Sequence, residues 1–143
     1  HVAITVKSNT NIVTSVISAL GDFARVMSKM FHEFYDPSQI ELILAYEWTG
    51  SLLGFLAKKY LKKPMVTSIY STESMRAGEK SLLSLSIRGL EMRFLHCSDL
   101  VIARSKEVFN RILAEYRVPT DRVRATLTSK EFSSVVREVL GDL

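Results

Sequence analysis

The order of apolar and polar positions along the chain predicts that strands and helices alternate from one end to the other. Short runs rich in Val, Ile and Leu predict strands near residues 2–6, 40–45, 65–70, 100–103 and 123–127. Apolar residues at helical spacing predict helices near residues 12–34, 47–60 and 82–96, after Ser105, and after the capping-box sequence at 128–131. Such alternation is typical of a parallel sheet with helices on both faces. We therefore expect one doubly wound, Rossmann-like α/β domain over residues 1–143, with a sheet of about five strands.

Composition and charge place the chain among ordinary globular proteins. Of its 143 residues, 47% are hydrophobic and 24% are charged, which excludes a disordered or collagen-like chain. No apolar run approaches the ~18 residues of a membrane span, and the net charge of +4 is too small to indicate nucleic acid, so neither partner is expected. The single cysteine, Cys97, cannot form an internal disulfide, which favours a reducing, cytoplasmic location.

Polar side chains follow the predicted strands at the edge where ligands bind in open parallel sheets. They are rich in hydroxyls and include two carboxylates, two guanidinium groups and one indole: Ser8, Asn9, Asn11, Tyr46, Glu47, Trp48, Tyr70, Ser71, Thr72, Glu73, Arg76, Arg104, Ser105, Thr126, Thr128 and Ser129. Such a rim suits a polyhydroxylated or phosphorylated ligand better than a lipid.

Several familiar chemistries are missing from the sequence. It contains neither a GxGxxG motif nor a P-loop. The three histidines and Cys97 show no spacing suited to a metal site, since the adjacent pair His96 and Cys97 would diverge by ~100° on a helix. No histidine stands near a predicted strand end, where a Ser-His-Asp triad would need it. We expect no bound metal and no self-contained catalytic centre.

Four segments resemble motifs of the glycogen and starch synthases and of related retaining glycosyltransferases with the GT-B fold. ELILAYEWTG at residues 41–50 is similar to their DVVHAHDW.TG, and KPMVTSIYSTESMR at residues 63–76 is similar to P.V.TIHSTE..R. Residues 87–91 with 97–105 resemble I..LE......AD.VI..S, and residues 115–123 resemble EYGVP.DKV. The order and spacing agree from roughly residue 36 to residue 124, which is more than half of the chain.

The resemblance implies that the chain is most of the amino-terminal, acceptor-binding lobe of such an enzyme. The whole enzyme would transfer a hexose, expected to be glucose, from a nucleoside diphosphate sugar to a glycan acceptor, with retention of the anomeric configuration. A second GT-B lobe would bind most of the sugar nucleotide, so we expect this piece to be inactive alone. The family requires neither a metal nor another cofactor. Because the chain begins with His1 rather than Met, we expect further sequence upstream.

The resemblance also implies roles for individual residues. The candidate catalytic residues are Tyr70, in the place of the family's active-site histidine, and Glu47, in the place of the Asp of its HDW motif, next to the acceptor sugar. The candidate substrate-binding residues match other motif positions or follow the same strands: Trp48, Ser71, Glu73, Arg76 and Ser105. Tyr70 is the main departure from the family pattern, because an imidazole exchanges protons near neutral pH whereas a phenol mostly donates hydrogen bonds.

Each candidate also has a purely structural interpretation. A carboxylate is favourable at a helix N-terminus, a Trp there often only packs, and Glu73 with Arg76 could form a surface ion pair. Tyr70 could be a core tyrosine, and Ser105 is better explained as a helix cap than as a ligand group. Solvation is the simpler expectation for Arg104 and for the lysines at the predicted end of the second helix, Lys58, Lys59, Lys62 and Lys63.

Two alternative functions stay open at this point. A lobe that kept the fold and lost the histidine could be a non-catalytic module that binds a sugar or a partner protein. A generic nucleotide-binding or nucleic-acid-binding Rossmann domain would instead use the lysine cluster, and its binding would weaken as salt is added.

Overall fold

The computed structural model describes residues 12–34, 36–77 and 81–141. Backbone contacts divide the chain into two compact units, residues 1–39 and 40–143, which we describe separately. In the first unit, helix α1 covers Ile12–Phe34 and a single 3-10 turn follows at Pro37–Gln39. The predicted helix over residues 12–34 is therefore confirmed, whereas the strand predicted at residues 2–6 lies outside the described residues. The prediction of a single domain stays a prediction.

The second unit alternates strands and helices, as the sequence pattern predicts. Its elements are β1 (Ile43–Tyr46), α2 (Glu47–Leu61), β2 (Met65–Ile69), α3 (Glu73–Arg76), α4 (Leu82–Cys97), β3 (Leu100–Ala103), α5 (Lys106–Tyr116), β4 (Val123–Ala125) and α6 (Ser129–Gly141). The capping box of α6 forms as its sequence indicates: Thr128 Oγ1 accepts from the Glu131 N–H at 3.2 Å, and Glu131 Oε2 accepts from the Thr128 N–H at 3.2 Å.

The four strands form one parallel sheet in the order β1-β2-β3-β4. Ile43 pairs with Met65 and Val66 with Leu100, so the carboxyl ends of the strands lie at one edge. The sheet has four strands among the described residues, where the sequence predicts about five. The described strands also follow one another across the sheet in the same order as in the sequence. They therefore do not show the reversal of strand order that defines a doubly wound sheet. The Rossmann-like α/β class nevertheless fits, since every neighbouring pair is parallel and joined through a helix.

Helices cover both faces of this sheet. On one face, α4 and α5 pack on the inward residues of β2 and β3, and the buried cluster includes Ile69, Val101, Val108, Ile112 and Tyr116. On the other face, α6 packs on Val66, Leu100 and Ile102 through its apolar stripe. Because alternate strand residues face opposite cores, β2 and β3 are buried along their whole length. The prediction of helices on both faces is confirmed for this unit.

Two local predictions need correction. Between the strand predicted near residues 65–70 and the helix predicted near 82–96, where no element is predicted, the structure has the short helix α3, because the Glu73 N–H donates to the Glu91 carboxylate at 2.9 Å and the chain turns there. Strands β1 and β4 are also shorter than the apolar runs that predict them, because β1 begins to pair only at Ile43 and β4 stops pairing after Ala125. Within the described residues, none of the helices combines the length and the apolar character that crossing a membrane would require.

Candidate functional site

The structure brings five of the seven candidate residues together at the carboxyl edge of β1 and β2. Glu47 is the first residue of α2 and directly follows β1. Tyr70 and Ser71 directly follow β2, and Glu73 and Arg76 are the first and last residues of α3. Because the strands are parallel neighbours, the loops that follow them meet at one place. The cluster therefore lies where the open-sheet rule predicts a ligand site.

Glu47 is held in an uncommon backbone conformation. Its φ of +59° lies in the left-handed region, which costs a residue with a side chain roughly 1–2 kcal/mol. The turn lets β1 pass directly into α2 and directs the carboxylate toward the loop after β2. There Oε1 accepts a hydrogen bond from the Tyr70 N–H at 2.7 Å, and Oε2 pairs with Arg76 Nη1 at 3.2 Å. The side chain of Glu47 remains 29% exposed, so its unused lone pairs are open to a ligand.

Arg76 connects three carboxylates. Besides Glu47, its guanidinium contacts Glu73 Oε2 at 3.2 Å and Glu91 Oε1 at 2.8 Å. It also donates to the carbonyl oxygen of Ser71, and to Ser71 Oγ at 3.0 Å. Burial alone would lower the pKa of Arg76, but its hydrogen bonds and charge pairing with Glu91 and Glu73 outweigh burial and raise that pKa. Arg76 is thus a fixed cation in a cluster whose formal charge is negative.

The cluster rests on a buried pair formed by Glu91 and Tyr116. Glu91 of α4 is 1% exposed, and its Oε2 accepts from the Tyr116 hydroxyl and from the Glu73 N–H. Burial first, and then the hydrogen bond and charge of Glu91, raise the pKa of the Tyr116 phenol well above its ordinary value. Tyr116 therefore stays a hydrogen-bond donor. Arg88 lies 5.9 Å from the centroid of its ring.

Tyr70 faces solvent and is not a core tyrosine. The residue is 56% exposed, although its backbone N–H is fixed on Glu47. The guanidinium of Arg104, which follows β3, lies 5.2 Å from the Tyr70 ring centroid and 4.9 Å from that of Phe132. Arg104 is therefore partly buried rather than fully solvated, because its guanidinium lies over these two rings. Tyr46 extends the aromatic group, with its ring centroid 6.2 Å from that of Phe132.

The two remaining candidates lie outside the carboxylate cluster. Ser105 Oγ accepts from the Val108 N–H at 3.1 Å and caps α5, which confirms the capping interpretation. Trp48 is the second residue of α2 and is partly buried. No described contact links either residue to Arg76, which organises the cluster.

Sequence reasoning missed several residues of this edge. Glu91 lies in the motif segment at residues 87–91. A carboxylate among the apolar positions of a predicted helix could have indicated that it is buried and paired. Tyr116 lies in another motif segment, residues 115–123, without a predicted role. The Ser68 hydroxyl on β2 is buried without a hydrogen-bond partner among the described residues, which the sequence does not reveal. The contact between Arg104 and the Phe132 ring joins residues far apart in sequence.

The lysine cluster lies at the opposite, amino edge of the sheet. Lys58 Nζ pairs with Asp99 Oδ2 at 2.6 Å and donates to the Cys97 carbonyl at 2.9 Å, while Lys59 Nζ lies 5.1 Å from the Phe55 ring centroid. These lysines line an open cleft of about 630 Å³ with Pro64 and Cys97. Among residues 12–34, 36–77 and 81–141, no group of three His, Cys, Asp or Glu side chains is placed to hold a metal ion.

Comparison with known proteins identifies the class of the module. The fold and the carboxyl-edge cluster fit a glycosyltransferase-type α/β module, and the model of the family Glycosyltransferase Family 4 matches residues 3–126. The match covers most of the chain, so the protein belongs to this family, whose model describes the amino-terminal domain of GT-B-type glycosyltransferases. No curated protein shows a significant match to the chain.

Proposed function

We propose that this chain is the acceptor-side lobe of a retaining hexosyltransferase similar to glycogen and starch synthases. The enzyme transfers a hexose, with glucose as the proposed sugar, from a nucleoside diphosphate sugar to a glycan. A second GT-B lobe binds the sugar nucleotide, so this chain alone does not catalyse transfer. Family membership and the four motif segments support the proposal. The single cysteine supports a cytoplasmic location.

The observation that carries the proposal is the fixed position of the Glu47 carboxylate. Both of its oxygens already have partners in the protein, the Tyr70 N–H and Arg76, which set the orientation of the carboxylate. Each oxygen has a second lone pair, and the side chain is partly exposed. A sugar hydroxyl can therefore donate to Glu47 without breaking an existing contact. Such positioning of a nucleophilic hydroxyl is the main contribution an acceptor lobe makes to transfer.

Tyr70 contributes a phenol where related enzymes have an imidazole. Its exposed ring provides an apolar surface for a sugar, and its hydroxyl can donate a hydrogen bond to a sugar oxygen. In this proposal Tyr70 binds and orients the acceptor, and the charge of the transition state is stabilised in the second lobe.

Calorimetric titration of the chain tests the proposal. We expect a neutral gluco-oligosaccharide to bind more tightly than a nucleoside diphosphate sugar. Glu47→Gln should weaken glycan binding by about 5- to 10-fold, since one charged hydrogen bond is lost. Glu107→Gln, which changes an exposed carboxylate on α5, serves as the matched control and should leave the affinity unchanged. Tight sugar-nucleotide binding without glycan binding would contradict the assignment to the acceptor side.

The alternative is a non-catalytic module that binds a sugar, and the replacement of the family histidine by Tyr70 favours it. The two functions differ in a complete protein that carries a second lobe. In that protein, Tyr70→His should raise the rate of transfer if the lobe is catalytic. If neither the complete protein nor its Tyr70→His variant transfers a sugar, and both still bind a glycan, the binding module is favoured.

A further inference from the structure

A second group of side chains lies on one face of the sheet at its carboxyl edge. Tyr46 pairs in register with Ser68, and Ser68 with Ile102, so the side chains of these three residues point to the same face. Tyr70 and Arg104 come two positions after Ser68 and Ile102, just beyond the ends of β2 and β3, and the contacts of Arg104 with Tyr70 and with Phe132 of α6 place them on the face that α6 covers. We call the group of Tyr46, Tyr70, Arg104 and Phe132 the arginine–aromatic surface.

Arg104 carries an unneutralised charge at this surface. Its Nη1 donates to Thr126 Oγ1 at 3.3 Å, and its guanidinium lies against the rings of Tyr70 and Phe132. Within the described part of the chain, no carboxylate lies within 4.0 Å of it, whereas Arg76 contacts three. A guanidinium has five N–H donors, and among the described residues the one hydrogen bond of this group is to Thr126 Oγ1. Arg104 therefore keeps donors and charge available in a fixed orientation.

Tyr70 connects this surface to the carboxylate cluster. Its backbone N–H is bound to Glu47, and its ring lies against Arg104. A ligand whose hydroxyl donates a hydrogen bond to Glu47 thus lies beside Tyr70, and the ring of Tyr70 also contacts the unneutralised guanidinium of Arg104. The three carboxylates around Arg76 repel an anionic group, whereas Arg104 attracts it. The two neighbouring charges would fix the direction in which an acidic ligand lies across Tyr70.

We propose that Arg104 binds an anionic group of the acceptor, a carboxylate or a phosphate attached to a sugar, while the sugar ring packs on the exposed side of Tyr70. The substrate class is then an acidic rather than a neutral glycan. This inference rests on the proposed function, because it assumes that the acceptor lies on this lobe. The planar guanidinium suits either anion, since both present paired oxygens to its parallel N–H groups.

Calorimetric titration with a matched set of ligands tests the inference. The set contains a neutral gluco-oligosaccharide, an oligosaccharide of the same length ending in a glucuronate, glucose 6-phosphate, inorganic phosphate and a nucleoside diphosphate. We expect an acidic sugar to bind about 10- to 100-fold more tightly than the neutral oligosaccharide. Comparison of the glucuronate with glucose 6-phosphate shows which anion the site prefers.

Substitutions at Arg104 assign the preference to its side chain. Arg104→Gln should bring the affinities for acidic and neutral ligands together, and Arg104→Lys should retain more of the preference because it keeps the charge. Arg93→Gln removes the same charge from an exposed position on α4 and should leave the preference unchanged. Circular dichroism checks that each variant is folded. If Arg104→Gln does not fold, the comparison of Arg104→Lys with the unsubstituted protein still decides the test.

Each other outcome overturns a defined part of the account. Equal binding of neutral and acidic oligosaccharides overturns the inference and leaves the proposed function intact. If inorganic phosphate binds as tightly as the acidic sugars, Arg104 is an anion site that does not recognise an acceptor sugar. If a nucleoside diphosphate binds and its binding requires Arg104, the donor lies at this surface and both proposals are overturned. If none of the ligands binds, both proposals are overturned as well.

Discussion

Glu47 accepts a hydrogen bond from the backbone N–H of Tyr70 at 2.7 Å and so joins the ends of two neighbouring parallel strands. The same carboxylate pairs with Arg76, which reaches the buried Glu91 on α4. One chain of contacts thus connects an exposed carboxylate to the protein core. This connection gives the edge the rigidity that positioning a sugar hydroxyl requires.

The backbone strain at Glu47 predicts an unusual order of stability between two variants. Glu47→Ala and Glu47→Gly both lose the carboxylate contacts, but only glycine adopts a φ of +59° without strain. We therefore expect Glu47→Gly to be more stable than Glu47→Ala by about 1 kcal/mol, although glycine is normally the poorer helix residue. Urea denaturation measures both. An alanine variant of equal or greater stability would show that the positive φ is not strained.

The buried carboxylate of Glu91 should make a large contribution to stability. Glu91→Ala leaves the Tyr116 hydroxyl and the Glu73 N–H without an acceptor and removes one partner of Arg76. We expect a loss of about 3 kcal/mol in the free energy of unfolding. Glu107→Ala, at an exposed position on α5, should change it by less than about 0.5 kcal/mol. Similar losses in the two variants would contradict a network built on Glu91.

The raised pKa of Tyr116 predicts a loss of stability at alkaline pH. Below about pH 10 the phenol is protonated in both the folded and the unfolded chain, so its stabilising contribution is complete. Above that pH the unfolded chain releases a proton that the folded chain retains, and stability falls as pH rises toward the folded pKa. Tyr116→Phe should be less stable at neutral pH and should lose stability less steeply above pH 10. Urea denaturation at a series of pH values measures this dependence. The same fall in the free energy of unfolding with pH in both proteins would contradict the prediction.

Two glycines provide a test of packing that does not involve the site. A Cβ on Gly54 of α2 would lie 2.7 Å from Met65 Sδ and 3.0 Å from Ala45 Cβ, whereas one on Gly89 of α4 would meet nothing within 4 Å. Gly54→Ala should therefore destabilise the fold by about 1–3 kcal/mol. Gly89→Ala should stabilise it by about 0.5–1 kcal/mol, because alanine favours a helix. Thermal melts in which Gly54→Ala is as stable as the unsubstituted protein would contradict the packing of α2 on the sheet.

The sequence predicts the second unit closely where periodicity and capping agree. The strand at residues 100–103 and the start of α5 after Ser105 appear at the expected positions, because burial and a cap specify them locally. The boundaries of β1 and β4 are less well predicted, since pairing starts within the first apolar run, at Ile43, and stops within the last one, at Ala125. Helix α3 was missed because a carboxylate 18 positions away in sequence stabilises its start.

The candidate site could be predicted only in part for a related reason. Strand ends and family motifs indicate Glu47, Tyr70 and Arg76, since each lies at a position that a local rule or a resemblance marks. The contacts of Arg104 with the rings of Tyr70 and Phe132 depend on how α6 packs against the sheet, and no local pattern encodes them. The roles of Glu91 and Tyr116 likewise follow from tertiary burial.

Backbone-amide NMR of the chain, titrated with gluco-oligosaccharides that end in a neutral or an acidic sugar, tests the central claim most directly. The claim is that this lobe binds an acceptor glycan at the carboxyl edge through Glu47. We predict that the largest shift changes fall on the amides of Glu47, Tyr70 and Arg76, and that Glu47→Gln reduces them while Glu107→Gln does not. Shift changes confined to the lysine cleft at the amino edge, or produced only by a nucleoside diphosphate sugar, would contradict the account.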